Sequence, residues 1–123
     1  EVMTVELNEK STYLPYVLGR LFSVLEAVQQ SANPGINTTI KDRYFNSASA
    51  TPASVFPLLI NLAQKHLAKL EGGLAVYYSK RITELNARIT QTLPARLSLA
   101  EQSAFQIGYY HETQKRYTKK EEQ

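Results

Sequence analysis

A polar connector between two long amphipathic stretches constrains the fold of this chain most. The connector is the segment 36–52, INTTIKDRYFNSASATP, and it follows the turn signal Asn33-Pro34-Gly35. Proline fixes φ and glycine permits a positive φ, so this tripeptide favours a tight turn. Either threonine at 38–39 can cap a short helix predicted over 40–47, with an acid in its first turn. Pro52 then suits the first position of the next helix.

Long helices on both sides of the connector are predicted from apolar residues that recur at intervals of three and four. They run from 11–12 to about 31, from 51–54 to about 70 before Gly72-Gly73, from about 74 to 92, and onward from the capping box Ser98–Glu101. Gly19 lies within the first pattern and predicts a close helix crossing there. The predicted fold class is all-α, a small helical bundle of four long helices and one short helix. We expect a polar N-terminal arm at 1–10, a helical bundle domain at 11–115 and a charged C-terminal tail at 116–123.

The composition is that of a single domain without disulfides, since the 123 residues include no Cys. The two histidines, His66 and His111, lie far apart and show no metal-ligand spacing, so we expect neither a metal nor a cofactor. No apolar run approaches about 18 residues, which argues against a membrane span. The N-terminus is acidic and polar, unlike a signal peptide, and a cytoplasmic location is therefore expected.

Catalytic groups are too sparse to predict an enzyme. A two-metal nuclease needs clustered carboxylates, and Asp42 is the only Asp in the chain. A serine or cysteine nucleophile needs an oriented base, and neither histidine lies in a recognisable motif. Gly72-Gly73 lacks the following lysine and hydroxyl residue of a phosphate-binding loop. A helix-turn-helix regulator is the main binding alternative, but the predicted helices are too long for two short helices joined by a tight turn.

The charge distribution is more basic than the net charge of +3 indicates. Between Ser11 and Lys120, thirteen Lys and Arg face six acids, which gives this body a net charge of +7. The other acids lie at the ends of the chain, at Glu1, Glu6, Glu9, Glu121 and Glu122. A basic body suggests a polyanionic partner, and ordinary surface solubility is the alternative.

Seven cations are candidate nucleic-acid contacts, because they lie outside the predicted apolar stripes and have no matching acid at i+4. They are Arg20, Lys41, Arg43, Lys65, Lys69, Arg81 and Arg88. Lys65 with Lys69, and Arg81 with Arg88, are predicted to share helix faces, whereas Lys80 is left out because Glu84 matches it. Arg43 beside Tyr44 suits phosphate contact with base stacking. Two alternatives stay open: Arg43 pairs with an acid or bonds loop carbonyls, and Tyr44 with Phe45 anchors the short helix in the core.

Two segments resemble a known family. LGRLFSVLEAVQQSANPGINTTIKDRYFNSASATPASVFPLLINLAQKHLAKL and LPARLSLAEQSAFQIGYYHETQKRYTKK are similar to the C-terminal region of the large subunit of the type I-C CRISPR Cascade complex. The resemblance covers Leu18 to Lys120, and its most specific blocks are TTIKDRYFNSASATP and GYYHETQ. In that family the same region is also made separately, from an internal start, as a small subunit.

The resemblance implies a non-catalytic helical bundle within a surveillance complex. Its implied partners are the Cascade backbone and large subunits, other copies of itself, the crRNA–target DNA duplex and the non-target single-stranded DNA. The implied role is to support the guide–target duplex and to hold the displaced strand. A stand-alone helical DNA-binding or regulatory module is the alternative. The resemblance does not assign the contact residues, and the seven cations above rest on charge and spacing alone.

Overall fold

The fold is all-helical, as the sequence predicts. A computed structural model describes the backbone of residues 8–122 and the side chains of residues 8–117. It contains five helices: α1 Leu14–Ala32, α2 Ile40–Ala50, α3 Pro52–Leu67, α4 Gly72–Ala87 and α5 Leu99–Glu122. α2 has 11 residues and the others have 16 to 24, which confirms four long helices and one short one. No strand occurs among residues 8–122, and no helix there has the length and hydropathy to cross a membrane.

α1 is the central element, and every residue from Leu14 to Val28 is buried. The other four helices all pack against it, and α5 makes the most extensive contact. The crossing depends on two glycines, because a Cβ on Gly19 would lie 1.9 Å from the Phe105 carbonyl oxygen. A Cβ on Gly108 would lie 2.1 Å from the Tyr16 carbonyl oxygen. The close crossing predicted at Gly19 is therefore confirmed, and we call this contact the α1–α5 seam.

An aromatic cluster forms the core where α2, α3 and α5 meet α1. The Phe22 ring lies 5.5 Å from Phe45, 6.5 Å from Phe56 and 5.9 Å from Phe105, centroid to centroid, in edge-to-face geometry. Such geometry is favoured by the ring quadrupoles. Phe45 and Tyr44 are partly buried and pack against this core. The structure thus supports the alternative in which these two aromatics anchor the short helix.

Caps set the starts of α2 and α5 where the sequence predicts them. Thr39 and Asp42 form a reciprocal capping box, in which the Thr39 amide donates to Asp42 Oδ2 at 2.8 Å. At α5 the Ser98 amide donates to Glu101 Oε1 at 2.8 Å, and the Glu101 amide donates to Ser98 Oγ at 3.1 Å. Each box satisfies backbone N–H groups that a helix start leaves without partners.

Several predicted helix ends are wrong by a few residues. α2 continues to Ala50, beyond the predicted end at 47. α3 ends at Leu67 and α4 at Ala87, earlier than predicted, because each last turn tightens into i to i+3 hydrogen bonds. Gly72-Gly73 begins α4 as well as following α3, and Gly72 takes the positive φ of 55° that suits glycine.

The two terminal regions are described in part. α5 continues as helix through 116–122 of the predicted tail. Residues 1–7 of the predicted arm, and Gln123, lie outside the described residues. Asn8, the first described residue, donates its amide proton to the Tyr16 hydroxyl at 2.9 Å. The last part of the predicted arm therefore contacts the bundle.

Candidate nucleic-acid interface

The structure separates the seven candidate cations by exposure. Arg43, Lys65 and Lys69 are exposed, and Lys41 and Arg88 are partly buried. Arg81 is partly buried with its side chain 15% exposed, and Arg20 is buried with 0% exposed. The seven residues therefore do not form one surface.

Arg20 belongs to the core of the α1–α5 seam. Its Nε donates to Glu112 Oε1 at 3.0 Å, and its Nη1 donates to the Asn8 carbonyl oxygen at 3.4 Å. Its Nη2 is buried without a hydrogen-bond partner and lies 3.9 Å from Glu9 Oε1. The expectation that Arg20 lies outside the apolar face of α1 is wrong, because α1 is covered on all sides and α5 supplies the matching acid.

Arg81 completes the same network from α4. Its Nε donates to Glu112 Oε2 at 2.9 Å and its Nη2 donates to Glu9 Oε1 at 3.1 Å. Burial by itself lowers the pKa of Arg81, but the hydrogen bond and charge of Glu112, together with Glu9, outweigh burial and raise that pKa. Arg81 has no acid at i+4 on its own helix, but acids on other segments match it, and spacing along one helix cannot reveal them.

A second buried acid fixes the start of α2. Glu26 on α1 accepts a hydrogen bond from the Tyr109 hydroxyl, and its Oε2 accepts one from Thr39 Oγ1 at 2.6 Å. Burial, followed by the hydrogen bond and charge of Glu26, raises the pKa of Tyr109. The phenol therefore stays protonated and donates. These bonds hold α2 against α1 and α5 and so position the next residue but one, Lys41.

Lys41 lies over an aromatic cluster instead of an acid. Its Nζ lies 5.7 Å from the ring centroid of Phe45, 5.1 Å from that of Tyr109 and 5.2 Å from that of Tyr110. Nζ also bonds the Tyr110 hydroxyl at 3.4 Å. Among the described side chains, no carboxylate forms an ion pair with it. The ammonium is therefore stabilised by the aromatic rings, and no described carboxylate that pairs with it would compete with an anion.

Four further candidates, which we call the outer cations, have no ion pair with any described side chain. They are Arg43, Lys65, Lys69 and Arg88. Lys69 and Arg88 lie just beyond the ends of α3 and α4, so the predicted continuous helix faces are interrupted at those residues. The open alternative in which Arg43 pairs with an acid has no counterpart among the described contacts.

Sequence reasoning left out four exposed cations, Lys10, Lys80, Arg96 and Lys115. Lys80 was set aside because of Glu84, but the two form no ion pair among the described contacts. Spacing at i+4 permits such a pair without requiring it, and exposed pairs contribute little. All four lie outside the predicted apolar stripes, as the outer cations do, and this position is the sequence signal that could have selected them.

Internal roles occupy most of the described acids, and this increases the basic character of the surface. Glu26 and Glu112 are buried, and Asp42 and Glu101 cap helices. Glu9 pairs with Arg81. Of the described acids, only Glu71 and Glu84 are exposed without a hydrogen bond or ion pair in the structure. The described part of the surface therefore offers polyanions many cations and few carboxylates without a partner.

The histidines have structural partners. Nδ1 of His111 lies 2.8 Å from the Tyr16 hydroxyl, and Nδ1 of His66 lies 3.3 Å from Asn33 Nδ2. Burial, together with the charge of Lys69, lowers the pKa of His66. The described residues contain no group of three His, Cys, Asp or Glu that could hold a metal ion. The arrangement can bind anions through Lys and Arg, and its interior acids serve the fold.

A protein-family model matches nearly the whole chain. The family model described as CRISPR-associated protein (Cas_Csd1) matches residues 1–117. This range contains both the connector with α2 and the GYYHETQ block of α5. No curated protein matches the chain.

Proposed function

Because this chain belongs to the Cas_Csd1 family of CRISPR-associated proteins, we propose that it is the non-catalytic small subunit of a type I-C surveillance complex. The family makes the chain a component of a Cascade-type CRISPR complex. Within it, the subunit supports the guide RNA–target DNA duplex and holds the displaced non-target strand. Its neighbours are the backbone and large subunits and further copies of itself, in the cytoplasm.

The observation that carries this proposal is the set of outer cations without acids. The displaced strand needs a positive surface that follows its backbone and has no need of base readout. Arg43, Lys65, Lys69 and Arg88 fit this requirement, because each charge is available to a phosphate. Lys41 fits it as well. Arg20 and Arg81 are not included, because their guanidinium groups already bind Glu112.

The test is R-loop formation by the assembled complex with all four outer cations changed to Ala. We expect R-loop formation to fall while thermal unfolding of the subunit changes little. None of the four side chains forms an ion pair with a described residue, and surface substitutions of this kind usually shift stability by less than about 0.5 kcal/mol each. For binding to a single strand, each lost phosphate contact should reduce the slope of log affinity against log salt by about 0.7.

A variant with the same loss of charge separates position from net charge. It carries Ala at Lys10, Lys80, Arg96 and Lys115, which are exposed and also lack ion pairs. If this variant is as defective as the first, binding depends on overall charge and not on the outer cations. Intact R-loop formation in both variants contradicts the proposal. Failure of the chain to copurify with the crRNA-bound backbone favours the stand-alone DNA-binding module.

A further inference from the structure

The solvent face of α5 carries two tyrosines at equivalent positions. Tyr110 and Tyr117 are each 53% exposed, although tyrosine rings usually bury most of their area. They are seven residues apart, which places them on one face about 10.5 Å apart along the helix. Gln106 and Gln114, also exposed, lie on the same face. This face is polar and aromatic, and the described part of the bundle does not cover it.

Tyr110 is the better fixed of the two rings. It packs edge-to-face on the buried Tyr109, with centroids 5.2 Å apart and ring planes at 82°. Tyr109 is itself buried and donates a hydrogen bond to Glu26, so the ring beneath Tyr110 is held in place. Lys41 approaches the hydroxyl end of the Tyr110 ring from α2, with Nζ 5.2 Å from the ring centroid and 3.4 Å from the hydroxyl oxygen. An aromatic ring and a cation without a carboxylate are thus placed side by side at the surface.

We propose that Tyr110 is a stacking platform for an unpaired base of single-stranded nucleic acid, with Lys41 binding the adjacent phosphate. Every base has a π face, so a tyrosine platform accepts any sequence, and a neighbouring cation binds the backbone. Tyr117, about two turns further along α5, provides a second position for the same strand. This inference rests on the proposed function and extends it from charge alone to base contact.

The charge of the site favours a nucleic acid over a protein surface. A protein neighbour that covered Lys41 without offering an acid would desolvate an unpaired cation, which is costly. A phosphate removes that cost and leaves the ring free to stack.

The test measures affinity of the full chain for a fluorescent oligothymidine by anisotropy over a range of salt. Tyr110→Leu should weaken binding by about 5- to 150-fold, the usual loss for one stacked base, and leave the salt slope unchanged. Tyr110→Phe retains the ring and should bind within about twofold of the unchanged protein. Lys41→Gln should reduce the salt slope by about 0.7. Tyr13→Leu is the matched control, since Tyr13 is 54% exposed and no described cation lies over its ring.

Each outcome has a distinct meaning. If Tyr110→Leu binds as Tyr13→Leu does while salt-dependent binding persists, the platform is wrong and the proposed function stands. If the unchanged protein binds no oligothymidine even at low salt, both fail. If Tyr110→Leu keeps its affinity but leaves the assembled complex, this face binds a protein and the inference is overturned. A wild-type complex with iododeoxyuridine in the displaced strand gives a check without variants, because photo-crosslinking should label Tyr110 and labelling elsewhere only contradicts the platform.

Discussion

The α1–α5 seam and the surface of the outer cations use positive charge in opposite ways. In the seam, Arg20 is buried and shares Glu112 with Arg81, so its charge holds helices together. On the surface, Lys65 and Lys69 have no acid among the described contacts, so their charges remain available. The same residue types thus serve the fold in one region and a partner in the other, and burial decides which.

The two regions also differ in packing. α1 is buried from Leu14 to Val28, whereas α4 buries only Tyr78, Ile82 and Leu85. α3 and α4 make little contact with each other, and a groove of about 210 Å³ lies where Phe56 and Ile60 approach the residues after α4. Because local stability follows the density of buried contacts, we expect the seam to determine the free energy of unfolding.

The largest effect that tests this contrast is expected from Glu112→Gln. The substitution leaves the buried guanidinium of Arg20, and that of Arg81, without their shared acid. Breaking a buried pair on one side costs about 3–5 kcal/mol, which urea denaturation will measure. Glu84→Gln is the control, because Glu84 is exposed and unpaired, and its change should stay within about 0.5 kcal/mol. Equal losses of unfolding free energy in the two variants would show that the buried ion pairs of Glu112 stabilise the fold no more than an exposed, unpaired acid does.

A smaller loss is expected from Gly19→Ala. The new methyl group would lie 1.9 Å from the Phe105 carbonyl oxygen, so α1 and α5 have to separate. Overpacking of this kind costs about 1–3 kcal/mol, and thermal unfolding will report it. Gly73→Ala provides the comparison from the open region, since nothing lies within 4 Å of its Cβ position. There alanine should stabilise the protein by about 0.5–1 kcal/mol, because glycine is unfavourable within a helix. A loss at Gly73 as large as that at Gly19 would remove the contrast.

The smallest effect is expected at Glu9, which lies between the two regions. Glu9 pairs with Arg81 of the buried ion-pair network and is also partly exposed to solvent. Burial raises the pKa of Glu9, but the charge and hydrogen bond of Arg81 outweigh it and hold the pKa below its ordinary value. Because the pKa is lower in the folded state, Glu9 stabilises the fold at every pH above its ordinary pKa. This stabilisation disappears as the pH falls through the lowered pKa of the folded state.

The free energy of unfolding, measured by urea denaturation at neutral pH and at a pH below the lowered pKa of Glu9, should therefore fall more for the unchanged protein than for Glu9→Gln. The difference will be small, because the Glu9 side chain is 51% exposed and solvent screens it. Stability curves that run parallel over the whole range would show that Glu9 contributes nothing to the network.

Local signals account for what the sequence predicts well. The capping boxes at Thr39 and Ser98 involve residues three apart, and the helix pattern has a period that any window of the chain reveals. Gly19 is a similar case, because a glycine within an apolar helix marks a close approach. The caps and the helix period depend on neighbours within one or two turns, and the structure confirms them. The glycine indicates that another helix approaches, but it does not indicate that this helix is α5.

Long-range pairing accounts for what the sequence does not predict. Arg20 and Glu112 are 92 residues apart, so no spacing rule connects them. The available signal was composition, since Arg20 is the only charge in the stretch PYVLGRLFSVL, and a lone charge there indicates burial with a partner. The contact of Lys41 with Tyr109 and Tyr110 cannot be predicted for the same reason. The sequence indicates only that Tyr110 lies in the specific block GYYHETQ.

The pairing of the first helix with the last has a consequence for biosynthesis. A nascent chain emerges from its N-terminus, so α1 leaves the ribosome long before the residues that cover it. Most small bundles pair helices that are neighbours in sequence, but here the main interface closes a loop of nearly the whole chain. A nascent chain that has been synthesised only as far as α4 exposes the face of α1 that α5 later covers. Arg20 lies in that face, and its partner Glu112 has not yet been synthesised. Transiently exposed apolar surface of this kind favours aggregation, and α5 removes it when it docks.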